Sequence, residues 1–168
     1  MKIRKANMED AMAIAKVHVA SWKTTYEGII KKEILEQVTI EKRTQLWQKN
    51  LSLKENPYIS LVMENDEGSV IGFATGAAVA LQEYPYDGDV TSIYFYENYQ
   101  GQGLGKRLLA ALFSEFNKEG YQNAIVKVLA SNNAKHFYEK MGAKEIHRYD
   151  VPDYGEGNVL VVYAWEKL

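Results

Sequence analysis

The chain has 168 residues, long enough to bury a substantial core as one domain spanning 1–168, and its 46% hydrophobic and 25% charged content is ordinary for a soluble globular protein. A net charge of −2, with no Lys/Arg run longer than a pair, gives no footing for nucleic acid or an anionic membrane surface. With no cysteine, the chain can form no disulfide, thiolate metal site or cysteine nucleophile.

The first residues, MKIRKANMEDAM, are charged and unlike a secretory signal, and no apolar run reaches the ~18 residues of a membrane span, so a cytoplasmic enzyme or binding domain is expected. Ile3 to Lys5 predicts a short strand. Asn7, with Asp10 three residues on, forms a capping-box-like pair, and Ala11, Ile14, Ala15, His18 and Trp22 then share one helical face. Further helices are predicted over Lys32–Gln37 and Ile40–Asn50, ended by Pro57. Tyr58–Glu64 and Val70–Ala80 read as a hairpin around Asn65-Asp66-Glu67-Gly68. A loop runs from Gln82 to Gly88, followed by a strand over Val90–Tyr96. Leu104, Leu108, Ala111, Leu112 and Phe116 give the next helix its apolar face, and Gly120 stops it. Asn123–Ala130 is apolar on both faces, the pattern of a central, doubly covered strand. A short helix over Asn133–Met141 and strands over Lys144–Val151 and Asn158–Glu166 complete the order βααα-ββ-β-α-β-α-β-β, a mixed α/β sheet.

The strand before residue 100 stops, three glycines pass at alternate positions, and a strong helix begins. Gly101, Gly103 and Gly105 permit close approach and positive φ. The helix behind them presents unpaired N–H groups and a partial positive charge, a site for a phosphate-bearing ligand. A dinucleotide fingerprint would place such a turn after the first strand, with an acidic residue at the tip of the next. Here the turn lies past the midpoint, and the next strand ends Leu129-Ala130-Ser131. A P-loop would end Gly-Lys-Ser/Thr, whereas Gly105-Lys106 is followed by Arg107.

Two segments narrow the choice. Gln100-Gly101-Gln102-Gly103-Leu104-Gly105 matches a Q/R-x-x-G-x-G/A signature, and Asn132 is followed at a fitting distance by Phe137-Tyr138-Glu139-Lys140-Met141-Gly142. Together they resemble the GCN5-related N-acetyltransferases. The strand Ile93-Tyr94-Phe95, the N-terminal Ser21-Trp22-Lys23-Thr24-Thr25-Tyr26-Glu27-Gly28 and the C-terminal Val162-Tyr163-Ala164-Trp165 resemble one bacterial branch of that family. Glu97 departs from it, since the family often carries proline there.

The resemblance implies the family fold, a mixed and mostly antiparallel sheet of six to seven strands with splayed central strands and about four flanking helices. It also implies acetyl-coenzyme A as co-substrate, and no metal is expected. The pyrophosphate would rest on the N–H groups from Gln102 through Gly103, Leu104 and Gly105 to Lys106, with charge from Lys106 and Arg107. Pantetheine, which resembles a peptide, would pair with the strand at Ile93, Tyr94 and Phe95, and Asn132 would bond its arm. The thioester would lie in the gap between that strand and Ala124–Ala130.

Tyr138 is the candidate acid that protonates the leaving thiolate, with a backbone N–H near Phe95 polarising the thioester carbonyl. The acceptor amine needs a base. Asp89 stands where many relatives carry a glutamate, Glu83 is an alternative, and His18 titrates in the right range but also fits a packed helix face. Trp22, Tyr26, Tyr84 and Tyr86 are candidates to wall the acceptor cleft; Trp22 at helical spacing equally suits the core. The expected activity is direct transfer of acetyl to a primary amine of a small molecule or peptide in a ternary complex. A non-catalytic acyl-CoA-binding sensor and a nucleotide-binding regulator are the competing readings. A homodimer through a late strand is compatible with the fold by analogy.

Overall fold

The computed structural model describes residues 1–53, 55–80 and 83–168. The elements are β1 (Lys2–Lys5), α1 (Ala11–Tyr26), α2 (Lys32–Gln37), α3 (Ile40–Leu51), β2 (Ile59–Glu64), β3 (Val70–Ala78), β4 (Gly88–Phe95), α4 (Leu104–Lys118), β5 (Ala124–Leu129), α5 (Ala134–Lys140), β6 (Lys144–Asp150) and β7 (Val159–Trp165). Short 3₁₀ turns precede α1 and α4 and follow β6. The predicted order holds throughout, and the boundaries move by only one or two residues; β4 starts earlier, at Gly88. The predicted loop from Gln82 begins at a residue outside the described ones.

Local chemistry sets the element ends. The Asn7 side chain accepts from Glu9 N–H at 2.9 Å while Asp10 accepts from Asn7 N–H at 2.8 Å, a reciprocal cap leading into α1. Asp10 also takes both terminal nitrogens of Arg4, at 2.7 and 2.8 Å, and Arg4 reaches Glu64, tying β1 and β2 to the helix entry. Thr39 caps α3 through Lys42 N–H at 3.3 Å. In the hairpin turn, Asn65 Oδ1 accepts from Glu67 and Ser69, and Gly68 takes φ +81°.

One seven-stranded sheet runs in the order β1-β2-β3-β4-β5-β7-β6. Every pairing is antiparallel except β4 with β5. On one face the apolar stripe of α4 (Leu104, Leu108, Leu112, Phe116) packs with Leu61, Met63, Ala74, Val90, Val126 and Val161. On the other, Ile14 and Val17 of α1 and Trp47 of α3 cover Val62 and Phe73. The ring of Phe116, fully buried and worth about 2–3 kcal/mol in burial, lies on a floor of glycines. A Cβ on Gly76 would come within 2.3 Å of it and one on Gly88 within 2.8 Å. No helix among the described residues is long and apolar enough to cross a membrane.

The parallel ladder between β4 and β5 is short. It pairs Gly88 with Ala124, Asp89 with Ile125 and Val90 with Val126, and then stops. The register slips between the Thr75–Ser92 and Gly76–Val90 pairs, leaving Thr91 as an extra residue that bulges β4 here, and the Thr75 and Thr91 hydroxyls meet at 2.7 Å. Thr91–Phe95 and Lys127–Leu129 therefore diverge and leave a wedge-shaped notch in mid-sheet.

Candidate active site

A cavity of about 680 Å³ fills the notch. Its walls are Val90 to Phe95 of β4, Val126 to Val128 of β5, the last turn of α1, the glycine turn and the start of α5. Among the predicted site residues, Tyr26, Ile93, Tyr94, Phe95, Gln100, Gly101, Gly103, Gly105, Lys106, Asn132 and Tyr138 line it. Leu104 belongs to the core, and the Gln102 amide donates to Asn98 C=O at 2.8 Å.

At the glycine turn, Gly101 and Gly103 have φ +71° and +76°, and a Cβ on either would meet nothing within 4 Å. Their requirement is conformational. Gly105 differs from expectation: it sits inside α4 without positive φ, and its missing Cβ instead admits the Phe137 ring at 3.3 Å. The first backbone N–H groups of α4 have no intrahelical acceptor and face the cavity end beside Lys106. Glu97, where proline is common in the resembled family, opens a 3₁₀ turn and accepts from Gln100 N–H at 3.0 Å. The first position of such a turn is the one proline would suit.

Along β4 the antiparallel pattern fixes which backbone groups are free. Tyr96 N–H donates to Ile71 C=O at 3.1 Å, so by alternation the polar groups of Ile93 and Phe95 turn from β3 toward the notch. Phe95 C=O is already held, by the buried Ser21 hydroxyl at 2.8 Å and the Gln100 amide at 3.2 Å. A chain of weaker polar contacts crosses the notch. Trp22 Nε1–H donates to Tyr94 OH at 3.2 Å, Tyr94 OH lies 3.4 Å from Tyr26 OH, and Asn132 Nδ2 donates to Tyr26 OH at 3.4 Å. Asn132 Oδ1 meanwhile accepts from Ala134 N–H at 2.9 Å, starting α5. Tyr138, on α5, is buried against Phe137 and Trp165; burial, then the nearby Tyr26, pushes its hydroxyl well above the usual tyrosine range, so it stays protonated.

The family described as "Acetyltransferase (GNAT) family" matches residues 21–143, the stretch that builds this cavity. The chain belongs to that acetyltransferase family. It is 34% identical over 144 residues to the uncharacterized N-acetyltransferase YuaI of Bacillus subtilis, covering 86% of this chain and 80% of that protein. It is 34% identical over 122 residues to the ribosomal protein bS18-alanine N-acetyltransferase of Haemophilus influenzae, covering 68% of this chain and 79% of that one. The fold is also that of the PaiA N-acetyltransferase of Thermoplasma acidophilum, crystallised with coenzyme A, at a TM-score of 0.77, 23% identity and 98% coverage of both chains.

As an acetyltransferase the chain holds its other candidates outside the cavity wall. Trp22 stands behind Tyr26, with ring centres 4.9 Å apart and Arg43 over its ring at 5.4 Å. Tyr84 and Tyr86 pack with Ile125, Val162 and Ala164, on the sheet face opposite α4. Tyr86 OH donates to Glu166 at 2.6 Å. Asp89 is on the same side, at the base of the notch; burial raises its carboxyl, Lys127 opposes this, and Glu83 adds to it. His18 is enclosed by Trp22, Phe73 and Tyr94, and neither ring nitrogen has a hydrogen-bond partner among the described residues. Burial, aided by the charge of Arg43, pushes it down to about 3. It is a neutral core imidazole and no base.

Two residues at the site escaped the sequence reading. Ser21 pins Phe95, and its only sequence signal is a hydroxyl on a helix face that is otherwise apolar. Lys127 carries a stronger one, the single charge inside β5.

Proposed function

We propose that this acetyltransferase moves acetyl from acetyl-CoA directly to a primary amine of a small molecule or peptide, within one domain and one ternary complex. The observation that carries this reading is the convergence of three features in one notch: an unpaired strand edge at Ile93 and Phe95, the N–H groups of α4 behind Gly101 and Gly103, and the buried Tyr138 hydroxyl. The first suits a peptide-like pantetheine arm and the second a pyrophosphate. The relative named for the alanine of a ribosomal protein supports an amine acceptor.

In this reading the amine nitrogen attacks the thioester carbonyl carbon. The C–N bond forms, the C–S bond breaks, the amine proton passes to Asp89 and the sulfur takes the proton of Tyr138. The Phe95 N–H, free while its carbonyl is pinned, donates to the developing oxyanion. Tyr138 is a weaker acid than in water, but the same apolar surroundings raise the thiol, so donor and leaving group stay matched. An alkylamine with pKa near 10.4 is neutral only about one part in a thousand near pH 7.4, a cost of about 4 kcal/mol that Asp89 helps offset.

Coenzyme A release across a panel of amines tests the reading. Tyr138→Phe should lower kcat about tenfold and Asp89→Asn about a hundredfold. Unchanged turnover in both would refute the assigned roles, and tight acetyl-CoA binding without turnover on any amine would favour a sensor.

A further inference from the structure

We propose that Lys127 is a positioning residue for the acetyl transfer: its ammonium, fixed at the throat of the notch by Glu83 and the Tyr84 ring, keeps the Asp89 carboxylate ionised and disfavours the protonated form of the acceptor amine. The inference rests on Asp89 as the proton acceptor.

Lys127 occupies the first position of β5 past the end of the parallel ladder, directly after the Val90–Val126 pair. It lines the cavity, yet its Nζ reaches the opposite sheet face. There it meets Glu83 Oε2 at 2.7 Å and lies 5.8 Å from the Tyr84 ring centre. A lysine side chain only 26% exposed, in a strand otherwise apolar on both faces, costs desolvation that a surface position would avoid. Glu83 and the tyrosine face offset that cost.

Among the described residues, Lys127 and Glu83 are the charges acting on Asp89. Its partner on β3 is Ala77 and its partner on β5 is Ile125, both apolar. Burial and Glu83 both favour the protonated carboxyl, and among the described residues Lys127 opposes them. The coupling is reciprocal: burial pulls the Lys127 ammonium downward, but its hydrogen bond to Glu83 and the charges of Asp89 and Glu83, with Tyr149 of β6, outweigh it and hold the group above its ordinary value, so it keeps its proton. A fixed cation beside a bound ammonium lowers the affinity of that amine for its proton. One side chain thus acts on both ends of the proton transfer, raising the fraction of Asp89 able to accept and of amine able to attack.

The test is kcat/KM against pH for coenzyme A release, together with carbon NMR titration of the Asp89 carboxyl, in the full-length protein. Lys127→Met should move the acid limb up by about one pH unit. Activity then falls about tenfold at pH values well below the limb's midpoint but stays within about threefold of the parent on the plateau above it, and Lys127→Arg restores the limb. Glu83→Gln keeps an oxygen acceptor for the Lys127 ammonium but removes the negative charge that raises Asp89, so it should move the limb the opposite way even if the methionine variant folds poorly. A uniform loss at every pH in Lys127→Met, with the Asp89 midpoint unmoved, overturns the proposal. Loss of all activity in Glu83→Gln does so too, since Glu83 would then be the proton acceptor. If the parent releases no coenzyme A with any amine, the proposed function fails, while the NMR midpoints still decide whether Lys127 controls Asp89.

Discussion

The Asn132 side-chain amide donates to the Tyr26 hydroxyl at 3.4 Å, joining the end of β5 to the end of α1 across the mouth of the notch. Asn132 has its oxygen committed to Ala134, so under the proposed function this contact would orient the amide face that meets the pantetheine arm. Tyr26→Phe removes one partner while keeping the ring against Trp22. Losing an orienting hydrogen bond of about 1 kcal/mol should weaken coenzyme A binding about fivefold by isothermal titration calorimetry. Unaltered affinity would assign Tyr26 a packing role.

His18, through its burial, predicts acid sensitivity. It is neutral in the fold, with its pKa pushed down to about 3, whereas the unfolded chain protonates it near its ordinary value of about 6.5. Between those values the unfolded state holds more protons, so this contribution is intact above the upper value and is lost progressively as pH falls. Near pH 5 the loss amounts to about 2 kcal/mol. In His18→Leu, the difference between urea-unfolding free energies measured near pH 7.5 and pH 5 should shrink by that amount. The same difference in both proteins would move the acid sensitivity to other groups.

Gly76→Ala tests the glycine floor. The new Cβ would stand 2.3 Å from the Phe116 ring and 3.0 Å from the Asp89 carbonyl oxygen, so ring or strand must shift. The cost should be about 1–3 kcal/mol in urea unfolding. Phe116→Leu in the same chain should couple favourably with it, giving a double variant less destabilised than the sum of the singles. Strict additivity would mean that the two positions do not press on one another.

Much of this was legible in the sequence because local rules and tertiary packing agree. The Asn7 cap, the Asn65–Gly68 turn and the α4 stripe from Leu104 to Phe116 each use one strong local signal, and the structure keeps all three. Signals that depend on the third dimension were weaker. His18 and Trp22 share a helical face with core residues, and only the rings of Phe73 and Tyr94 closing over His18 show that it is sealed from a proton-transfer role. Tyr84 and Tyr86 are loop aromatics by sequence, yet they cover Ile125 and Val162, because an antiparallel sheet this wide needs a lid where α1 and α3 do not reach. Gly105 reads like its two neighbours; helix geometry makes it a packing residue instead.

The three-pair ladder at Gly88–Val90 has a mechanical meaning. It leaves the sheet as two panels, β1–β4 and β5–β7–β6, hinged at one end. In the proposed function, a co-substrate laid along the free edge of β4 would become a temporary strand and bolt the open end shut. Occupancy should therefore register far from the bound molecule, as slowed amide exchange in both panels. On that reading the donor would be part of the architecture for as long as it stays.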